Sequence, residues 1–430
     1  MKLEPIASPM LSEDVWRAKL PSGLELTVGR KADHARSFGI LSTEYGSIDG
    51  DFRVNGTEHR VPDGVAHFLE HKLFEKEDGD VSDRFHQLGA DTNAATSYTT
   101  TSYLFSCSDR FEPCLDLLID FVLVPHFTEE GVAKEQGIIA QEINMYQDHP
   151  DYRLFTNLLG ALYAEHPVRV DIAGTLESIA KIDAETLYTC HRTFYHPSNM
   201  ALVVVGPKDP EAVLEQVAAR LEYLAIPDAT PVERVLPNEP LAVARHEIAE
   251  LRTVSRPRVA IGFKAAAQEP PTGAESLRSN VAFAIAMELA FGRSSPAHHD
   301  LYERGIIDES FSFSQASERG FAFAALGGET EEPETFQKEL LSVIEGCQTK
   351  GLDSGGFARA RNRYLGAYVR SFDSVEACAH TYLNAFHRKV SPFSVYEIVD
   401  SLELGEVEQA LRDRIDLSDY AVSEILPAAS

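Results

Sequence analysis

The run SNMALVVV at residues 198–205 comes back, much altered, as SDYAVSEI at 418–425. The offset is 418 − 198 = 220 residues, about half of a 430-residue chain. Each run follows a helix-like stretch of similar length. A chain that repeats an element order over half its length folds as two copies of one plan. Between the copies, residues 226–242 (IPDATPVERVLPNEPLA) carry Pro227, Pro231, Pro237 and Pro240 and no convincing periodicity, which reads as a linker. The expected fold class is α+β. Two homologous domains of about 210 residues are each a mostly antiparallel sheet packed with helices, facing each other across a cleft. The expected boundaries are 1–225 for the first domain, 226–242 for the linker and 243–430 for the second domain.

Local patterns fill in the plan. LELTVGR and FGILSTEYG read as strands. Residues 64–77 read as a helix, with Asp63 placed to cap it and Gly79 to close it. SDRFHQL is a shorter helix ending at Gly89. TNAATSYTTTSYLFSC is rich in Thr, Ser and aromatics at period two, the pattern of a strand or hairpin. Three longer helices follow: RFEPCLDLLIDFVLV, stopped by Pro125; EEGVAKEQGIIAQEINMYQD, with Thr128 as its N-cap; and DYRLFTNLLGALYAE. AETLYTCHRTFY is another helix and MALVVVG a strand. The second half again begins with strands (RPRVAIGFK, GFAFAALGG), continues with helices and ends in a strand.

Composition excludes several functions. With 39 Lys and Arg against 67 Asp and Glu, the formal charge is −28. Such a surface repels nucleic acid and anionic membrane and supports solubility. The basic run RTVSRPR at 252–258 is too short and too embedded in acid to reverse this. No apolar run approaches the ~18–20 residues of a membrane helix. The start, MKLEPIASPMLSEDVW, lacks the basic patch and apolar stretch of a secretory signal. Cys107, Cys114, Cys190, Cys347 and Cys378 form no CxxC pair and read as reduced thiols of a cytoplasmic protein.

The chemistry concentrates in HFLEH, residues 67–71. On a helix, His67 and His71 share a face, one turn apart. Two such imidazoles can grip one Zn²⁺ at roughly 2.0–2.1 Å each. Glu70 sits at the edge of that face, within reach of a metal-bound water, and Phe68, Leu69 and Leu73 form the apolar side. An ordinary amphipathic helix fits the same pattern, and a zinc site needs a third protein ligand. Glu135 and Glu142 are seven residues apart, two turns, on a helix whose Val132, Ile138, Ile139 and Ile143 mark it as largely buried. Buried carboxylates need a partner or a metal; an exposed polar face with ordinary salt bridges is the alternative.

GVAHFLEHKLFE, LGADTNAATSYTTTSYLF, KEQGIIAQEINMYQD, HPVRVDIAGTLESI and FYHPSNMALVVVG, in that order, resemble the pitrilysin/insulinase family of zinc metallopeptidases. These are the inverzincins, whose HxxEH reverses the commoner HExxH. The motif-bearing match covers about residues 60–206; the second half fits only in length and element order. The resemblance implies zinc, one per chain, on His67, His71 and Glu142, with Glu70 as catalytic base. It implies that Glu135 is a supporting acid that orients a histidine ligand, and that Asn93 and Ala94 lie on an edge strand that takes up a peptide substrate. The remaining histidines read as structural. His126, His149, His166 and His196 flank turns or prolines, His191 reads as a packed helix residue, and a metal role is not expected of His298 and His299.

The resemblance also has a gap. Family members active as one chain carry an arginine, and seven residues on a tyrosine, in the second half. In LYERGIIDESFSF (301–313), Tyr302 stands where the arginine would and Asp308 or Glu309 where the tyrosine would. Arg361 and Tyr368 are also seven apart but belong to a different helix. The implied enzyme is a zinc endopeptidase acting on short or unfolded peptides. It would be the metal-bearing subunit of a homodimer or of a heterodimer with a metal-free homologue. A non-catalytic assembly subunit of the same family is the alternative, and a metal hydrolase of non-peptide substrates a third.

Overall fold

The computed structural model describes residues 2–8, 10–266 and 272–428. They form two compact units, one of residues Met1–Ile143, Asp171–Val235 and Val369–Pro392, the other of Asn144–Val170, Leu236–Tyr368 and Phe393–Ser430. Strands and helices are numbered along the chain.

The first unit is built on a seven-stranded sheet. It contains β1 (Glu4–Pro5), β2 (Asp14–Lys19), β3 (Glu25–Arg30), β4 (Ser37–Thr43), β9 (Ala90–Thr96), β10 (Thr101–Cys107) and β11 (Met200–Gly206), in the order β1-β2-β3-β11-β4-β10-β9. Only the β11–β3 pair is parallel. Small sheets of β5 (Asp51–Val54), β6 (Thr57–Arg60) and β12 (Val232–Arg234), and of β7 (Glu75–Lys76) and β8 (Gly79–Asp80), complete the strands. Its helices are α1 (Val65–Leu73), α2 (Val81–Gln87), α3 (Phe111–Leu123), α4 (Glu129–Asp148), α6 (Leu176–Ile179), α7 (Ala184–Phe194), α8 (Pro210–Leu224) and α13 (Val375–His387). Every residue of β4 and β11 is buried, as expected of central strands covered on both faces. In β10 burial alternates, so Tyr103 and Phe105 enter the core that also holds Phe68, Leu69 and Leu73 of α1.

The second unit repeats the plan. Its sheet of β13 (Glu247–Arg252), β14 (Arg258–Ala265), β15 (Ser312–Glu318), β16 (Phe321–Glu329) and β17 (Ala421–Pro427) has the order β13-β17-β14-β16-β15. That matches β3-β11-β4-β10-β9 strand for strand, with β17–β13 again the one parallel pair. Its helices are α5 (Pro150–Leu162), α9 (Ala274–Phe291), α10 (Pro296–Glu303), α11 (Pro333–Lys350), α12 (Ser354–Arg370), α14 (Ser394–Ser401) and α15 (Leu404–Arg414). The strands of the SNMALVVV and SDYAVSEI runs, β11 and β17, thus occupy equivalent places.

Three expectations differ from this structure. The compact units are not contiguous halves of the chain. Helix α5, from the first half, packs on β14 and β17, and α13, from the second half, packs on β11 and β4. Strand glycines admit both helices: a Cβ on Gly29 would lie 2.6 Å from Tyr382 Cε2, and one on Gly262 2.9 Å from Leu158 Cδ1. Second, the stretch expected to be a linker contains β12, which pairs with β5, because Val232 and Arg234 offer an extended edge to Val54 and Phe52. Third, α1 starts after Gly64 rather than under an Asp63 cap. Gly64 has φ 93°, and a Cβ there would meet the Ala173 carbonyl at 2.5 Å. The helix ends at Leu73, and Gly79 belongs to the β7–β8 hairpin.

Candidate metal centre

Helix α1 buries Phe68, Leu69 and Leu73 completely, which turns His67, Glu70 and His71 towards α4 and β9. The two imidazoles stand with ring centroids 4.6 Å apart. Helix α4 starts at Thr128, whose hydroxyl accepts from Gly131 N–H at 3.1 Å, as its sequence suggests. A Cβ on Gly131 would crowd Lys72 Nζ and Glu75 Oε1 at 2.8 and 2.6 Å. Glycine there leaves space for the Lys72–Glu75 ion pair, 2.6 Å, beside the start of α4. Val132, Ile139 and Ile143 are buried with Glu135, and Ile138, expected inside, is exposed.

Two turns apart on α4, Glu135 and Glu142 both reach α1. Glu142 Oε1 lies 3.7 Å from His67 Nε2, and Glu142 Oε2 3.5 Å from His71 Nε2. One donor atom from each of His67, His71 and Glu142 lies within 4.8 Å of the others. These gaps exceed good hydrogen bonds and suit atoms grouped around a shared ion, each ~2 Å from it. Two nitrogens and one carboxylate make a catalytic zinc set that keeps a fourth position open. The donor chemistry therefore fits the metal.

The electrostatics of His67 agree. Burial pushes the His67 imidazole down to about 4, so it is neutral near pH 7, the form that ligates. Burial also disfavours charge on His71. The hydrogen bond from its Nδ1 to Glu135 Oε1, 3.0 Å, and the nearby Glu142 and Glu70 carboxylates outweigh this and raise it. That bond leaves Nε2 facing Glu142. Burial raises Glu70 above its ordinary value, against the hydrogen bond from the Thr96 hydroxyl and the nearby His71, which favour its ionised form.

Asn93 and Ala94 lie on β9, the last strand of the sheet. Ser97 N–H donates to the Thr100 carbonyl at 2.7 Å, closing the β9–β10 hairpin. Hydrogen bonding alternates along an antiparallel ladder from that pair, so the backbone groups of Thr92 and Ala94 point to the open side. Ala94 N–H accordingly meets Asn93 Oδ1 at 2.9 Å instead of β10. At the end of the same edge, Thr96 Oγ1 donates to Glu70 Oε2 at 2.5 Å. Thr96 was not singled out in the sequence, although the period-two run Thr92, Ala94, Thr96 puts it on the face towards α1.

In the second unit, the positions expected to hold an arginine and a tyrosine carry tied-down groups. Tyr302 Oη donates to Glu309 Oε1 at 3.5 Å, Arg293 pairs with Glu309 at 2.8 Å, and Arg256 pairs with Asp308 at 2.8 Å. Arg361 and Tyr368 both lie in α12, and Arg361 Nη1 donates to the Asp400 carbonyl. Among the other histidines, His166 and His196 accept from the N–H two residues on, Val168 and Ser198. His166 is nevertheless buried rather than at the surface. His191 is packed, its Nε2 2.8 Å from the Val122 carbonyl. All five cysteines are free, and among the described residues no helix is long and apolar enough to cross a membrane.

Known proteins share this plan. Residues 57–176 match the insulinase family (peptidase family M16), and residues 181–364 match the peptidase M16 inactive domain. The chain is 40% identical over 428 residues, 99% of each sequence, to an uncharacterized zinc protease, YmfH, of Bacillus subtilis. A putative M16-like peptidase from Alicyclobacillus acidocaldarius superposes with a TM-score of 0.95 at 33% identity, covering 98% of this chain and all of that one. A protease from Helicobacter pylori shares the fold, at TM-score 0.82 and 17% identity over 96% of this chain and all of the other. The chain belongs to the M16 family of insulinase/pitrilysin-type zinc proteases.

Proposed function

We propose that the protein is a zinc-dependent endopeptidase of short or unfolded peptides, with zinc held by His67, His71 and Glu142, one ion per chain. The observation that carries this reading is the meeting of three elements: an HxxEH helix, a buried carboxylate helix and an open sheet edge that ends at Glu70. Bound there, zinc supplies a Lewis acid that acidifies water towards a pKa of ~7 and polarises a carbonyl. A peptide pairs its backbone with the open side of β9 at Ala94 and Thr92, with Asn93 beside it. This brings an extended chain to Glu70 without reading its side chains, which suits unfolded substrates. Glu70 takes the proton of the attacking water and returns it to the leaving amine. Its raised pKa favours the uptake step. Glu135 holds His71 in one tautomer and orientation.

A tyrosine at 302 bonded to Glu309, and Glu309 in turn paired with Arg293, support a working unit of two chains, with a second copy or a metal-free homologue supplying substrate contacts. The free cysteines support a cytoplasmic setting.

The test is cleavage of dye-quenched unfolded casein by the zinc-loaded chain, with and without chelator. Zinc-dependent cleavage is expected, and Glu70→Gln should keep the metal and lose turnover. Turnover surviving in Glu70→Gln overturns the base. Strong cleavage by the chain as a monomer overturns partner dependence alone. Full zinc with no cleavage by any assembly favours an assembly subunit.

A further inference from the structure

Glu70 is gripped at its free end by one residue. Thr96 Oγ1 donates to Glu70 Oε2 at 2.5 Å. The Thr96 backbone N–H also favours the charged form of that side chain. An ionised carboxylate only accepts, so the hydroxyl proton lies on the Glu70 side. Thr101 backs the arrangement, with its Oγ1 donating to the Tyr45 carbonyl at 2.9 Å and standing 3.5 Å from Thr96 Oγ1. The β-branched Thr96 side chain has little rotamer freedom on a strand. Thr96 is also the last residue of β9, with the same parity as Thr92 and Ala94. One residue therefore ends the open edge and holds the acid that lies between the two candidate histidine ligands in sequence.

We propose that Thr96 is a positioning residue for Glu70: its hydroxyl fixes the orientation of the carboxylate relative to a peptide seated on β9. This rests on the peptidase reading above. Thr96→Val keeps the shape, the β-branch and the backbone N–H but removes the hydroxyl. Thr96→Ser keeps the hydroxyl. The protein is assayed as isolated, with any co-purifying chain retained, on a fluorogenic peptide that the wild type cleaves. Thr96→Val is expected to lose kcat about 10- to 100-fold, with KM little changed, at unchanged zinc content and circular dichroism. Thr96→Ser is expected to recover most of the loss.

Crystal structures of the three proteins give a readout without turnover. Glu70 should hold one conformer in the wild type and in Thr96→Ser, and be displaced or multiple in Thr96→Val. Full kcat in Thr96→Val, a Thr96→Ser variant as slow as Thr96→Val, a loss confined to KM, or an unmoved Glu70 in Thr96→Val each overturns the proposal. If the wild type has no zinc-dependent cleavage, the peptidase reading fails by itself, and the position of Glu70 in the Thr96→Val crystal still decides this one.

Discussion

Glu135 Oε1 stands 3.0 Å from His71 Nδ1, and Glu135 is buried along with Ile139 and Ile143 of the same helix. The pair leaves His71 Nε2 as the atom that faces Glu142. Glu135→Gln keeps the volume but removes the charge that orients and strengthens the imidazole. Zinc affinity should fall about 10- to 100-fold, with the fold intact. Competition against a chelator of known affinity measures this. Unchanged affinity would show that Glu135 has no bearing on the metal.

Metal content gives a second check. Metal analysis of the purified chain should find one zinc, and His71→Ala should lose it. Because zinc binds only the folded arrangement, chelation should lower the melting temperature of the wild type and leave His71→Ala unmoved. At free zinc 100-fold above Kd the stabilisation is about 2.7 kcal/mol. A chelator effect of equal size in both proteins contradicts the assignment.

Acid should destabilise the protein from below pH ~6.5. Burial holds His166 and His191 neutral, each pushed down to about 4. Unfolded, each takes a proton near pH 6.5, while folded it does not until about 4. Their contribution is therefore complete above ~6.5 and is lost as pH falls, by at most about 1.4 kcal/mol per group per pH unit. A second loss belongs to Glu239. Burial favours its neutral form, but Lys264 and the N–H groups of Ala164, Glu165 and His166 win and hold it at about 2. Its contribution is present above the unfolded value near 4.3 and fades towards 2. Urea midpoints measured on metal-free protein should decline between about pH 6 and 3, where these groups outweigh the gain from the raised His71 and Glu70. A midpoint that rises between about pH 6 and 3 contradicts these environments.

Gly29→Ala should destabilise the first unit. The added methyl would press on the Tyr382 ring at 2.6 Å, and that ring is buried with its hydroxyl 3.3 Å from Glu13 Oε2. Overpacking of this kind costs about 1–3 kcal/mol. Gly262→Ala against Leu158 should do the same in the second unit. Denaturant titration reads both, and neutrality at either site would show that the incoming helix moves aside cheaply.

Much of this was readable because it depends on short-range periodicity. His67 and His71 had to share a face once their segment was helical, whatever surrounded it. The alternating Thr-rich run had to make an extended hairpin, and β9–β10 is that hairpin. The 220-residue offset pointed to a duplication, and the matching strand orders of the two sheets express it in full. Asp63 failed as a cap for a local reason invisible in its own neighbourhood: the Ala173 carbonyl, over a hundred residues on, leaves space only for the α-hydrogen of Gly64.

The sequence by itself determined which residues could ligate, which face of each helix was apolar and that one plan was used twice. Tertiary structure alone decided what met what. Hydrophobic periodicity says that a face will be buried but not against which surface, since apolar burial has no direction. Two sheets of the same topology offered α5 and α13 equivalent seats, and each helix packs on the sheet built mainly from the other half of the chain. Glu142 likewise reaches His71 across 71 residues of chain, and Thr96 reaches Glu70 across 26. Contacts of that kind depend on angles between packed elements, which no local pattern encodes.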